Sequence, residues 1–513
     1  MRTSRVNWKS VVFLLHRWLG ISLGLVVLIW FMSGIAMMYY PYPELTSAEQ
    51  LRLLPTLRNA SLPPIAGFAH VRNRARLDFT SEIVGARLKL WNERPTYELW
   101  TVNVGAAQPP ILVDATTGER LPAIDAASAS RSSERIAPPN ARVRAVTLLP
   151  RGDHYFMGAE WRNTYPVFRI AYDDRARTAI YISSRSGEPA AIVTARARWT
   201  TWLGTVPHWL YVQWLYYDHY SGWLWISILL PGVALALAFT GVFFGFWQLL
   251  PFRRRGDWRL SGYRGVSRWH HVAGIFFGVI VITWTLSGML EVLGPSWRPS
   301  GATMTRARGL TPAWDSLTRD DRQAVARAES ERPGDDVVAL DALAVGGDVG
   351  YVAHFRSGAR LWLGSSASTP RVGREINERE AMLAARRVRD AAVLSVQRLT
   401  KGDAYYYAPR NRNATLPVWR VQLADGARTA VYVDPVTGLP AGVVDASVRR
   451  WRWWRDALHD FDVPAIDGRR PLWDAIVLSL MLGGSIGAVT GVWLLVRRVR
   501  LLLRPAGSVR SAP

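Results

Sequence analysis

Nine histidines and no cysteine bound the chemistry open to this 513-residue chain. Without thiols it has no disulfides, thiolate metal sites, iron–sulfur clusters or thioether-linked haem. Any redox or metal chemistry must therefore use His, carboxylate or Met. Six histidines (His16, His208, His219, His270, His271 and His459) stand at the ends of long apolar runs or just before them. Imidazole is both a metal ligand and a proton carrier near neutral pH, and ionisable residues at such depth are functional candidates. Two of the six open the same phrase, "HRWLGISLGLVVLIWFMSG" (16–34) and "HHVAGIFFGVIVITWTLSG" (270–288).

The runs that must position them are free of charge: Trp18–Pro43, Ser221–Phe252, Val272–Leu290 and Ala475–Val496. About 20 apolar residues cross the roughly 30 Å of bilayer hydrocarbon, so four membrane helices are expected. Tyr39, Tyr40, Trp223, Trp225 and Trp473 mark their ends as an interfacial aromatic belt would. The net charge of +23 is almost all arginine, Lys9, Lys89 and Lys401 being the lysines. Segments 1–17, 251–270 and 497–513 hold 15 Lys/Arg against one acid, Asp257. Each borders an apolar run, so the charge needs no nucleic acid to explain it. By the positive-inside rule these segments belong in the cytoplasm, with 44–205 and 296–448 outside. The expected layout is 1–43 tail and first span, 44–205 outer domain, 206–252 interfacial segment and second span. Then follow 253–268 basic loop, 269–295 third span, 296–448 outer domain, 449–498 interfacial segment and fourth span, and 499–513 tail.

The chain reads as a tandem duplication. Setting Gly20 against Gly274 pairs His16 with His270, Gly24 with Gly278, Trp30 with Trp284 and Ser33-Gly34 with Ser287-Gly288. Outside, "PVFRIAYDDRARTAIYISSRSGEP" (166–189) matches "PVWRVQLADGARTAVYVDPVTGLP" (417–440), and His208 falls opposite His459. The second and fourth spans share Thr240-Gly241 and Thr490-Gly491. The outer phrase alternates as strand, turn at Asp173-Asp174 or Asp425-Gly426, then strand. Residues 93–122 carry a third copy and 350–369 a fainter fourth, with a helix expected over 377–396. The fold class is therefore an α+β polytopic membrane protein: four membrane helices in a tandem repeat and two outer domains, each of two helix-plus-antiparallel-sheet modules.

"LHRWLGISLGL" at the first span, "ARTAVYVDPVTG" outside, and "ALHDFD" before a span ending "TGVWLLVRR" together resemble the PepSY-associated transmembrane-helix family. The resemblance implies PepSY modules in the periplasm, a bacterial inner-membrane location and a link to iron uptake. Some members resemble di-haem reductases of ferric siderophores.

If the halves pack about a two-fold axis along the membrane normal, His16 meets His270 on the inner side and His208 meets His459 on the outer. Two facing imidazoles suit a b-type haem, giving two haems held by side chains of facing helices. Gly20, Gly24, Gly274 and Gly278 leave room at one helix face for a porphyrin, or else for a close helix. The alternatives are His271 for His270, and His219 as an outer ligand; a span-end His also simply meets the interface. His70, His154 and His354 read as surface residues. No dinucleotide or P-loop motif occurs, so electrons would come from quinol or a separate cytoplasmic reductase. The acceptor implied is a ferric siderophore. The rival reading is a non-redox membrane regulator whose PepSY modules bind a protease or envelope enzyme.

Overall fold

The computed structural model describes residues 8–294 and 321–502, apart from 66, 68–69, 72–80, 104–105, 108, 158–164, 346–347, 365–371, 374, 408–414 and 467–468. The extreme tails, the stretch 295–320 and the end of the fourth outer copy (365–369) lie outside the described residues. The chain divides into two compact units. One comprises Met1–Tyr42, Trp199–Arg298 and Arg450–Pro513; the other Pro43–Arg198 and Pro299–Arg449.

The first unit is built on α1 (Trp8–Tyr39), α2 (Tyr220–Arg254), α3 (Val266–Leu293) and α4 (Arg470–Leu502). At about 1.5 Å per residue each exceeds 40 Å, and all four are apolar enough to cross a membrane. This is a multi-pass membrane protein. Large apolar side chains such as Leu25, Met32, Phe239, Phe276 and Leu482 point outward, as a lipid solvent permits. Packing joins α1 to α2, α2 to α3, α3 to α4 and α4 back to α1, a closed ring of four. Gly24 of α1 lies against Val492 of α4, and Gly278 of α3 against Val242 of α2. These two glycines let neighbouring helices approach, which answers the choice between porphyrin room and helix packing for that pair. Gly274 faces open space instead.

The segments leading into α2 and α4 break at matching places. The short helix Thr205–Trp209 stops at Leu210, φ 54°, and the segment before α4 turns at Phe461, φ 53°. A left-handed conformation costs an apolar L-residue about 1–2 kcal/mol. Each lies two residues after a histidine, His208 or His459, so the chain turns away as soon as the imidazole is placed.

The second unit holds three antiparallel sheets. Strands β5 (Val143–Leu149), β6 (Val167–Tyr172), β7 (Ala179–Ser183) and β8 (Pro189–Val193) form one, in that order. Strands β12 (Val393–Leu399), β13 (Val418–Leu423), β14 (Ala430–Val433) and β15 (Pro440–Val444) form another. Their registers match: Phe168 faces Ile182 as Trp419 faces Val433. The turns match as well, because Asp174 accepts from the Thr178 amide and Asp425 from the Thr429 amide, each at 2.6 Å. Such side-chain-to-backbone bonds fix Asx-type turns. The expected helix over 377–396 is shorter, Glu378–Val388, capped by Asn377 and Glu380. Its remainder is β12, where Val393 and Val396 favour a strand.

The third sheet joins β1 (Ser81–Trp91), β2 (Arg94–Asn103), β3 (Ala106–Ala107) and β4 (Ile111–Asp114) to β9 (Val337–Val345), β10 (Asp348–Phe355) and β11 (Arg360–Gly364). Its order is β11-β10-β9-β1-β2-β3, with β4 also on β2. The segments expected as two separate outer domains thus share one sheet. The join is β1 on β9, which covers two edges that would otherwise stay open. Arg87 faces Asp341 across it, 2.7 Å from Nε to Oδ1, and His354 Nε2 lies 2.8 Å from the same carboxylate. His354 is therefore a half-buried partner of Asp341 and not the surface residue expected.

Candidate functional site

All four sequence-paired histidines meet their expected partners inside the membrane unit. The His16 and His270 ring centroids lie 6.1 Å apart with the planes at 43°. His208 and His459 also lie 6.1 Å apart, at 63°. His16 stands on α1 some 17 residues before Ser33, against which His208 rests. The two pairs are therefore about 25 Å apart along the bundle.

Each imidazole sits in the same receptor on a neighbouring helix. His16 Nδ1 lies 3.1 Å from the Leu237 carbonyl and 3.3 Å from Thr240 Oγ1 on α2. His270 Nδ1 lies 3.0 Å from the Gly487 carbonyl and 3.2 Å from Thr490 Oγ1 on α4. His208 Nδ1 lies 3.0 Å from Ser33 Oγ on α1, with the Trp30 carbonyl also in reach. His459 Nδ1 lies 3.2 Å from both Ser287 Oγ and the Trp284 carbonyl on α3. A glycine follows every hydroxyl: Gly241, Gly491, Gly34 and Gly288. An added Cβ there would stand 2.8, 3.2, 3.6 and 3.0 Å, respectively, from the imidazole Cε1. The receptor is thus a carbonyl, a hydroxyl three residues on, and a bare backbone at the fourth.

Chemistry follows from that hydrogen bonding. A carbonyl only accepts, so the proton belongs on Nδ1 and the lone pair on Nε2. This is the tautomer a ligating imidazole needs, with its orientation set by the group behind it. The spacing fits as well. Two imidazoles that shared one metal at about 2.0 Å each, with about 1.1 Å from nitrogen to ring centroid, would have centroids about 6.2 Å apart. Among the described residues no group of three or more His, Cys, Asp or Glu could hold a metal ion. Each pair could instead offer two facing imidazoles to one planar metal cofactor.

The alternates fare differently. His271 Nε2 turns to the Gly245 carbonyl at 3.2 Å, its ring 5.3 Å from Tyr263 and away from His16. His219 is exposed beside Trp214, ring to ring 5.8 Å. Neither joins a pair. The four hydroxyl residues were missed in sequence as histidine partners, although Ser-Gly and Thr-Gly recur at matching positions in the two halves.

Of the four arginines in 449–455, Arg452 and Arg455 pair with acids while Arg450 is exposed. Arg449 donates to the carbonyls of Val444 and Arg428. Arg452 is buried on Asp462, 3.2 Å. Arg455 bridges Glu291 of α3 at 3.1 Å, Asp456 at 3.1 Å, and Asp460. Burial pushes the Asp456 carboxyl up to about 6 against the pull of Arg455. In the first half, Gly204 and Met37 stand where Arg455 and Glu291 stand in the second, in apolar contact.

The family model described as the PepSY-associated TM region matches residues 13–364, more than half of the chain. No curated protein matches it.

Proposed function

This chain belongs to the PepSY-associated transmembrane family, and on that premise we propose that it is a two-haem electron-transfer protein of the bacterial inner membrane. His16 and His270 would hold the inner b-type haem, and His208 and His459 the outer. The observation carrying this reading is the repeated 6.1 Å imidazole spacing, with Nδ1 bonded in all four rings and Nε2 without a hydrogen bond among the described residues. Bound there, haem supplies one-electron redox chemistry. The chain's own work is to fix the tautomer through Leu237, Gly487, Trp30 and Trp284, and to keep the rings from rotating through Thr240, Thr490, Ser33 and Ser287. All four histidines are half-buried in the bundle.

The positive-inside rule puts the Arg-rich loop 253–268 and both tails in the cytoplasm, and the sheet unit in the periplasm. We read the matching halves as copies of one ancestor, which gives the pairs their two-fold disposition. Quinol or a cytoplasmic reductase is the donor, and a ferric siderophore the acceptor. Siderophore oxygens are hard ligands that hold Fe(III) better than Fe(II), so reduction favours release.

The test is a reduced-minus-oxidised spectrum of purified protein with haem quantification. Two b-type haems per chain are expected; colourless protein from haem-replete cells overturns the reading in favour of a regulator. Stopped-flow reoxidation by several ferric siderophores then tests the acceptor separately.

A further inference from the structure

Away from the histidine pairs, the flank of α2 and α3 carries a cavity of about 580 Å³, within the usual range of ligand pockets, about 300–1,000 Å³. Its walls are Phe243, Phe246, Leu249, Leu250 and Ile275, closed by Leu260 from the loop between the two helices. The polar side chains that line it are Arg253 and the indole of Trp247. Phe246 and Leu250 are about half exposed on the lipid-facing side of α2. The space therefore opens where acyl chains are.

One cation, Arg253, lines this space and a second, Lys9, stands over the ring of a wall residue; aromatic faces hold both. The Arg253 guanidinium lies 4.7 Å from the Trp258 ring centroid and donates to the Asp257 carbonyl at 3.0 Å. Lys9 Nζ lies 4.8 Å from the ring centroid of Trp247, itself a wall of the cavity. Asp257, the one acid in residues 251–270, is turned to Arg259 at 3.0 Å. Among the described residues no carboxylate pairs with Arg253 or Lys9. Cation–π contact orients such a charge without neutralising it. An apolar slot with two oriented, unneutralised cations complements a molecule with an acyl chain and an anionic head.

We propose that this cavity binds an anionic phospholipid, with an acyl chain between α2 and α3 and its phosphate at Arg253, Lys9 adding positive charge nearby over Trp247. Basic pockets between membrane helices are the expected hosts of such head groups. A quinone fits less well, because the walls offer few hydrogen-bonding groups to a ring carbonyl. The site is independent of whether the histidine pairs hold haem.

Native mass spectrometry of the full chain with phosphatidylglycerol or phosphatidylcholine, in matched detergent, tests this. Wild type should retain phosphatidylglycerol at least fivefold over phosphatidylcholine. The double variant Arg253→Ala with Lys9→Ala should lose that preference, while Arg498→Ala with Arg500→Ala, an equal charge loss on α4, should keep it within twofold. Leu260→Trp narrows the cavity without changing charge and should lower retention of phosphatidylglycerol at least fivefold; it carries the test if the double variant fails to fold. Equal retention of the two lipids by wild type would overturn the proposal. So would full retention in Leu260→Trp, or a co-purifying quinone that Leu260→Trp expels while phosphatidylglycerol stays.

Discussion

Replacing the receptor glycines by alanine should injure the histidine pairs in a graded order that the geometry sets. Carbon atoms sit best about 3.5–4.0 Å apart. A methyl at Gly241 would come within 2.8 Å of His16 Cε1 and 3.3 Å of Nδ1. It leaves the imidazole about 0.7 Å short of the near edge of that range. At Gly288 the nearest imidazole carbon, of His459, is at 3.0 Å, and at Gly491 that of His270 is at 3.2 Å. At Gly34 the His208 carbon is already at 3.6 Å, and the closer atom is the flexible methyl end of Met481. The crowded ring cannot simply swing aside, because Nδ1 is tied to the same helix that carries the new methyl. Overpacking of this kind costs about 1–3 kcal/mol, or roughly 5- to 150-fold in haem affinity. Gly241→Ala should therefore strip most of the inner haem, Gly288→Ala much of the outer, and Gly491→Ala less of the inner. Gly34→Ala should spare the outer haem. The assay is haem content per chain after washing, with thermal unfolding of each variant as a readout that does not need haem. Equal loss in all four, or Gly34→Ala as damaging as Gly241→Ala, would refute the receptor argument.

If each pair shares a haem, His16→Ala and His270→Ala should remove the same half of the pigment, and His208→Ala and His459→Ala the other half. A double change across pairs should leave almost none, which the spectrum reads directly. Reporter fusions after Arg255 should report cytoplasm, and fusions near Gly118 and Gly438 periplasm; a periplasmic signal at Arg255 would invert the inner and outer assignments. In the shared sheet, burial would raise the Asp341 carboxyl, but Arg87 and His354 hold it well below the usual range. Its folded value is thus below its unfolded one, so the stabilisation is complete above about pH 4 and fades as pH falls through the folded value. Asp341→Asn should destabilise the sheet unit by about 3–5 kcal/mol at pH 7 by leaving Arg87 unpaired in a buried site. Chemical denaturation should show the gap to wild type narrowing below pH 4.

The membrane helices were legible because a charge-free run of twenty residues has few other stable outcomes. The histidine pairs were legible because recurrence in two halves, given a two-fold bundle, specifies which residues face one another. Register alone also picked His270 over His271. What stayed hidden is long-range. Alternation in Gly85–Leu90 marks a strand but not its partner, so the pairing of β1 with β9 across the halves could not be read. Ser-Gly and Thr-Gly within an apolar run read as helix packing, since a helix seen alone does not show which side chain arrives from its neighbour. The partner that orders Arg455 was equally hidden, because Glu291 on α3 comes some 160 residues earlier in the chain.

The two halves agree where the imidazoles rest and disagree almost everywhere beside them. Carbonyl, hydroxyl and glycine recur at four receptors, on four helices. Yet Arg17 follows His16 where His271 follows His270, and Trp209 and Tyr211 stand where the second half has Asp460 and Asp462. If packing were all that these histidines did, drift in their neighbours would be expected to carry the receptors with it, because any well-filled apolar contact serves a bundle. A receptor held constant amid changed surroundings points to a geometric demand on the imidazole itself. The divergence then has a use of its own. At the outer pair it sets an aromatic flank, with Tyr211 and Trp209 rings 5.2 Å apart, against a flank ordered by Arg455 and its three carboxylates. Two like imidazoles between unlike flanks give the outer pair a direction, which a strictly symmetric dimer of the same helices would lack.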